Sequence, residues 1–136
     1  MDTVADMFSA IKNAISRRKD YVDVPSSKIK EAILELLKKE GYIRDWERLE
    51  GEGYKKGTQY TLRIHLKYLD ARKQHSAIRE IIKVSKPGRR IYVPKHSMPY
   101  VQKGLGVAIL STDAGILTDH QARKIGKGGE VIAYIW

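Results

Sequence analysis

Hydrophobic and polar positions recur along this chain with two different periods, and the change from one to the other marks its organisation. Near the start, Val4, Phe8, Ile11 and Ile15 return at helical intervals before the polar exit Arg17-Arg18-Lys19-Asp20, and Thr3-Val4-Ala5-Asp6 has capping-box spacing. The pattern predicts a first helix. Tyr21-Val22-Asp23-Val24 alternates like a short strand, Pro25 stops it, and Ser26 or Ser27 can cap a second helix. Within that helix Ile29, Ala32, Ile33, Leu36 and Leu37 make one apolar stripe, with Lys38 and Lys39 in the last turn and Gly41 as terminator. Two strands follow, Tyr42 to Leu49 and Thr58 to Tyr68, joined by a Gly- and Lys-rich loop from Gly51 to Gly57. Tyr60, Leu62, Ile64, Leu66 and Tyr68 share one face of the second strand, and Thr61, Arg63, His65 and Lys67 share the other. The first face is core and the second is wet and basic.

Periodicity lapses at Leu69-Asp70-Ala71-Arg72-Lys73-Gln74-His75, which reads as a linker between an N-terminal α/β unit, residues 1–70, and a second unit, residues 71–136. The second pattern is mostly β. It offers a strand from Ile78 to Val84, a turn at Lys86-Pro87-Gly88, a short strand through Ile91-Tyr92-Val93, a loop with Pro94 and Pro99, a strand from Val107 to Leu110 and a last strand from Val131 to Trp136. One short helix interrupts it, because Thr118-Asp119-His120-Gln121 is a capping box and Gly126 sits where a helix ends. The expected fold class is α+β: helix-strand-helix-strand-strand, then a β-rich C-terminal domain.

Charge sharpens the picture. The 136 residues carry 26 Lys and Arg against 16 Asp and Glu, a formal net charge of +10 and a pI near 9.8. Residues 1–70 hold 14 basic and 12 acidic side chains, whereas residues 71–136 hold 12 and 4, so the basic excess sits in the second half. That asymmetry favours a polyanionic partner, nucleic acid first, lying mainly against the second half. The absence of cysteine rules out a disulfide scaffold, thiolate catalysis and Cys-ligated zinc, in keeping with a reducing compartment. No run approaches the roughly 18 apolar residues of a membrane span, and acidic residues stand where a signal peptide has its basic lead. A soluble, intracellular protein is expected.

Ser111 and Thr112 lie at the tip of the hydrophobic run Val107 to Leu110, ahead of the turn residues Asp113 and Gly115. Exposed hydroxyls donate and accept, so this pair suits ribose 2′-hydroxyls and base edges in the shallow minor groove of an A-form RNA helix. The competing reading is that they cap local backbone groups. Catalytic motifs are thin. Asp113-Ala114-Gly115 occurs once and out of aspartic-protease context, and Ser111, Asp119 and His120 lack a nucleophile-elbow glycine pattern. His65, His75, His96 and His120 have no metal-ligand spacing, and Gly104-Leu105-Gly106 lacks the third glycine of a dinucleotide fingerprint. No cofactor, metal or small-molecule substrate is expected, and an RNA-processing nuclease or other double-stranded-RNA enzyme is the alternative class.

Several segments together point further. Asp2-Thr3-Val4-Ala5-Asp6-Met7 with Lys12-Asn13-Ala14, Val24-Pro25-Ser26-Ser27-Lys28, Lys39-Glu40-Gly41-Tyr42-Ile43, Lys86-Pro87-Gly88-Arg89-Arg90-Ile91-Tyr92, and the string from Gly104 through Gly128-Gly129-Glu130 to Trp136 closely resemble the bacterial small-subunit ribosomal protein eight family. The resemblance covers nearly the whole chain. It implies two domains, early binding to an irregular helix in the central domain of small-subunit ribosomal RNA, and neighbouring small-subunit ribosomal proteins as partners. It implies a protein that is monomeric outside the ribosome, cytoplasmic or organellar. Members also repress translation of their own operon by binding a similar messenger RNA structure. Position by position, Ser111, Thr112 and Gly115 match the element that enters the RNA minor groove, and Glu130 with its glycines shares that face. The Lys86 to Tyr92 turn matches a backbone-gripping neighbour: Lys86, Arg89 and Arg90 suit phosphates and Tyr92 offers a stacking ring. In the first domain the resemblance implies contacts from Thr3, Lys12, Asn13, Ser27, Lys28 and Lys30.

Two departures stand out. The family commonly has Ser at the position of Asp113, so here an anion would sit beside a polyanion, and Asp113 is left out of the expected contacts. The family's first helix usually opens with Asp-Pro and carries Arg at the positions of Ala10 and Lys12, so a weaker phosphate grip is expected on that side.

Overall fold

The computed structural model describes residues 3–50 and 60–136. The expected loop from Gly51 to Gly57 and the start of the strand that follows it lie outside them. Asp6–Ala77 form one compact unit, and the chain from Ile78 to Trp136, grouped with Thr3–Ala5, forms the other.

Up to Ala77 the chain runs α1 (Thr3–Ser16), β1 (Tyr21–Pro25), α2 (Lys28–Lys39), β2 (Ile43–Leu49) and β3 (Thr61–Leu66), all in the first unit from Asp6 on. Thr3 is already helical, so the expected capping box does not begin there; the cap position lies outside the described residues. Met7, Phe8, Ile11 and Ala14 make the buried face of α1. Ser27 caps α2, its hydroxyl accepting from the Lys30 N–H at 3.3 Å. At the other end Gly41, at φ +81°, lets Gly41 N–H reach Lys38 O and Tyr42 N–H reach Leu37 O, the paired bonds of a Schellman stop.

The apolar stripe of α2 is rotated from the one its sequence suggests. Ile33, Leu34, Leu36 and Leu37 are buried together with Lys30, while Ile29 is 39% exposed and Ala32 faces solvent. Lys30 takes a core position because its ammonium donates to the Pro25 carbonyl at 2.8 Å while its methylenes pack inward. The three strands form an antiparallel sheet in the order β1-β3-β2. Pro25 fits because β1 is an edge, where a missing N–H leaves no ladder bond broken. Leu62, Ile64 and Leu66 are buried on one face of β3, and on the other Arg63 pairs with Asp23 at 2.9 Å and lies 4.1 Å from the Tyr21 ring centroid. After β3, the expected linker is a stapled loop. The Asp70 carboxylate accepts from Gln74 N–H at 3.0 Å and His75 N–H at 2.9 Å, and Leu69 N–H bonds His75 O at 2.7 Å.

The second unit contains β4 (Ile81–Lys83), β5 (Tyr92–Val93), β6 (Val107–Thr112), β7 (Gly115–Thr118), α3 (Asp119–Ile125) and β8 (Gly129–Ile135). β8 is the hub: β4 and β5 pair with it, β6 pairs with it, and β7 pairs with β6. The expected strand from Ile78 is shorter than its apolar pattern, and β7 was not expected at all. The capping box and the terminator of α3 are as the sequence predicts, with Gln121 N–H to Thr118 Oγ1 at 3.1 Å, Thr118 N–H to Gln121 Oε1 at 3.0 Å, and Gly126 at φ +69°. Leu110, Val131, Met98 and Ala122 form the core beneath the sheet, flanked by Val84, Val93 and Tyr134. Asp119 is fully buried and structural: it accepts from Ala108 N–H at 2.9 Å and from Arg123 at 2.6 Å. The α+β architecture matches the expectation.

Candidate nucleic-acid interface

The register of β8 builds the surface. Glu130 is the Cα partner of Tyr92 on β5 and of Ser111 on β6, and Ser111 is the partner of Ile116 on β7. Directly opposed residues in an antiparallel ladder project to the same side, so Tyr92, Glu130 and Ser111 stand in one row across three strands, spanning about 10 Å at ordinary strand spacing. Their neighbours Leu110 and Val131 point the other way, into the core. Alternation thus puts the row on the outer face.

Each member is presented differently. Tyr92 is 68% exposed. The Glu130 carboxylate is mostly covered and pairs with Arg90 at 3.1 Å, so its charge is offset at the surface. The two hydroxyls part company at the hairpin tip. Thr112 donates to Gly115 O at 2.9 Å and accepts from Ala114 N–H at 3.1 Å, so its hydroxyl secures the turn, while no hydrogen bond from a described residue engages the half-buried Ser111 hydroxyl. The tip is closed by Gly115 at φ +105°, a conformation that a β-carbon makes strained. Gly128 and Gly129 matter for proximity instead: a β-carbon on Gly129 would lie 2.4 Å from Ser111 O, and one on Gly128 would lie 2.3 Å from Val93 O. Only bare backbone lets β8 start between β5 and β6 and bring Glu130 level with both.

Lys86 and Arg89 flank the exposed Pro87-Gly88 turn and exchange both backbone bonds, at 3.0 and 2.9 Å. Ser85 clamps its base, accepting from Ile91 N–H at 2.9 Å. Both basic side chains project from a fixed scaffold. Lys127, which sequence reasoning passed over, also reaches this region, its ammonium 3.1 Å from the Asp113 carboxylate at the tip. Its only sequence signal is a cation within a glycine-rich turn.

Among the candidates nearer the start of the chain, Thr3, Lys12, Asn13 and Lys28 are exposed, and the Ser27 hydroxyl is spent on its cap. Lys30 requires a correction. It is 3% exposed, with its ammonium held by Pro25 O, and so is not presented to a phosphate. No group of three or more His, Cys, Asp or Glu among the described residues is arranged to hold a metal, and no helix of the described residues is long and apolar enough to cross a membrane.

Fold and surface together define a class: a basic α+β protein with an aromatic, hydroxyl and cationic sheet face of the kind that meets nucleic acid. A family profile described as Ribosomal protein S8 matches residues 2–136. The chain is 53% identical to the Small ribosomal subunit protein uS8 of Aquifex aeolicus over 165 aligned positions, covering 100% of this chain and 98% of the relative. The proteins of that name from Sulfurihydrogenibium sp. and Persephonella marina are 57% and 56% identical over 135 positions, covering 99% of this chain and 98% of each relative. The chain belongs to the ribosomal protein S8 family, whose members are structural components of the ribosome.

Proposed function

We propose that this protein is a primary binder of small-subunit ribosomal RNA that docks on an irregular helix of the central domain and helps organise it for neighbouring ribosomal proteins. The observation that carries the reading is the row Tyr92–Glu130–Ser111, fixed by strand register on the outer face of the more basic unit. Ser111 and the Glu130 carboxylate exchange hydrogen bonds with ribose hydroxyls and base edges in a shallow groove, and Tyr92 stacks on a base or sugar. Lys86, Arg89 and Arg90 engage phosphates and set the orientation. Thr112 and Gly115 act by shaping the tip. Thr3, Lys12, Asn13 and Lys28 supply further polar contacts. A messenger RNA with the same irregular helix is bound by the same groups, giving repression of the protein's own operon.

Footprinting on protein-free small-subunit ribosomal RNA tests this reading. The expected result is a protected patch confined to one central-domain helix, with the RNA left intact on incubation with Mg²⁺. Diffuse protection that tracks charge alone overturns the specific reading, and cleavage of the RNA marks the protein as a nuclease instead.

A further inference from the structure

Acidic side chains are scarce after residue 70: Glu80, Asp113, Asp119 and Glu130 are the only four. Asp119, Glu130 and Asp113 each meet a cation among the described residues. Asp119 is buried against Arg123 at 2.6 Å, Glu130 pairs with Arg90 at 3.1 Å, and Asp113 pairs with Lys127 at 3.1 Å. The first is explained by the fold, since Asp119 also holds Ala108 N–H. The third is not. The Asp113 side chain is 75% exposed and that of Lys127 43% exposed, and an exposed pair of this kind adds at most about 1 kcal/mol to stability.

Its position gives the pair another use. Asp113 follows Ser111 and Thr112 at the hairpin tip, and Lys127 directly precedes Gly128-Gly129-Glu130 at the entry to β8. The pair therefore joins the two segments that supply the hydroxyl and carboxylate of the row. A bare carboxylate here would repel the phosphates that Lys86 and Arg89 attract. An ammonium has three donors, so Lys127 can keep Asp113 as acceptor and still give a hydrogen bond to a phosphate oxygen. Held by Asp113, it loses less freedom when RNA arrives than an unrestrained lysine would.

Resting on the reading of this face as an RNA surface, we propose that Lys127 is an RNA phosphate contact and that Asp113 is its positioning residue. Asp113 helps binding only through Lys127 and opposes it when Lys127 is absent.

A double-mutant cycle tests this, with affinities for protein-free small-subunit ribosomal RNA and for random duplex RNA measured across salt. Lys127→Ala is expected to flatten the salt slope by about one. Asp113→Asn should weaken ribosomal RNA binding by about three- to fivefold when Lys127 is present, near the upper range for an exposed ion pair. In the Lys127→Ala background the same change should strengthen binding by a similar factor, since it now removes only repulsion. An Asp113→Asn effect of the same sign and size in both backgrounds overturns the proposal. So does a matched loss of thermal stability in both single variants with RNA affinity of the folded fraction unchanged. Ser111→Ala separates the two levels. If it lowers ribosomal RNA affinity while the cycle shows no coupling, only the pair is refuted; if it leaves specific and random affinities equally unaffected, the reading of the surface fails as well.

Discussion

Ser111 on β6 stands directly opposite Glu130 on β8, and Glu130 in turn opposes Tyr92 on β5, so three chemically different groups share one line on the outer sheet face. The Ser111 hydroxyl bears no charge and no described residue engages it. Ser111→Ala should therefore cost about 1 to 3 kcal/mol of cognate RNA affinity by leaving RNA polar atoms unpaired, with melting temperature and random-RNA affinity nearly unchanged. Melting curves and both affinities on one preparation check this; a cognate loss no larger than the random one would refute it.

Arg89 projects from a hydrogen-bonded turn, and on the proposed reading it acts through charge alone. Arg89→Ala should flatten the salt dependence of RNA binding by about one and weaken cognate and random RNA alike. A titration over several salt concentrations decides the point, since an unchanged slope would place Arg89 off the phosphates.

Lys30 and Lys28 are neighbours on one helix and should behave in opposite ways. Lys30→Met leaves the Pro25 carbonyl without its donor, and should lower stability by about 1 to 3 kcal/mol while sparing RNA affinity of the folded fraction. Lys28→Ala, at an exposed position, should leave denaturation midpoints in place and weaken RNA binding slightly. The reverse pattern would mean that α2 is buried on a different face.

Gly129→Ala places a β-carbon 2.4 Å from Ser111 O and must push β8 away from β6. A loss of about 1 to 3 kcal/mol is expected from this overpacking. Gly88→Ala is the control, because nothing lies within 4 Å of a β-carbon there. Equal stability for the two variants in chemical denaturation would show that the close approach is not required.

Asp70 titrates below its ordinary value of 3.8, chiefly because its carboxylate accepts the His75 N–H, and Gln74 N–H adds to this. A depressed carboxylate contributes stability that is full above the unfolded value and fades as pH falls through the folded one. Asp70→Ala should therefore lose stability at neutral pH and converge with the parent protein below about pH 3.8, as seen in acid unfolding. Curves that stay parallel to the acid limit would show that the staple does not depend on charge.

The α+β plan was legible because it rests on long periodic segments, and the phase of α2 was not. Ile29 and Lys30 exchange expected roles, since a lysine can reach a carbonyl with its head while burying its stem, which hydropathy alone does not register. β7 escaped notice because Ile116 and Leu117 are too few to show alternation between Gly115 and Thr118. The hydroxyl tip was found, but the division of labour between Ser111 and Thr112 depends on turn geometry that exists only once β6 and β7 pair. Lys127 lies 14 residues from Asp113, and no spacing rule links a turn to the far end of the helix after it.

Strand β8 is made later than every strand that pairs with it. A growing polypeptide that has emerged only through β7 already carries Lys86, Arg89, Tyr92 and Ser111, yet nothing aligns Tyr92 with Ser111 and Glu130 is missing. If the row reads RNA as proposed, such a nascent chain keeps the cations that attract any polyanion and lacks the groups that would tell one from another. On the proposed reading of the row, discrimination therefore waits for one late step of synthesis, the pairing of β8 between β5 and β6.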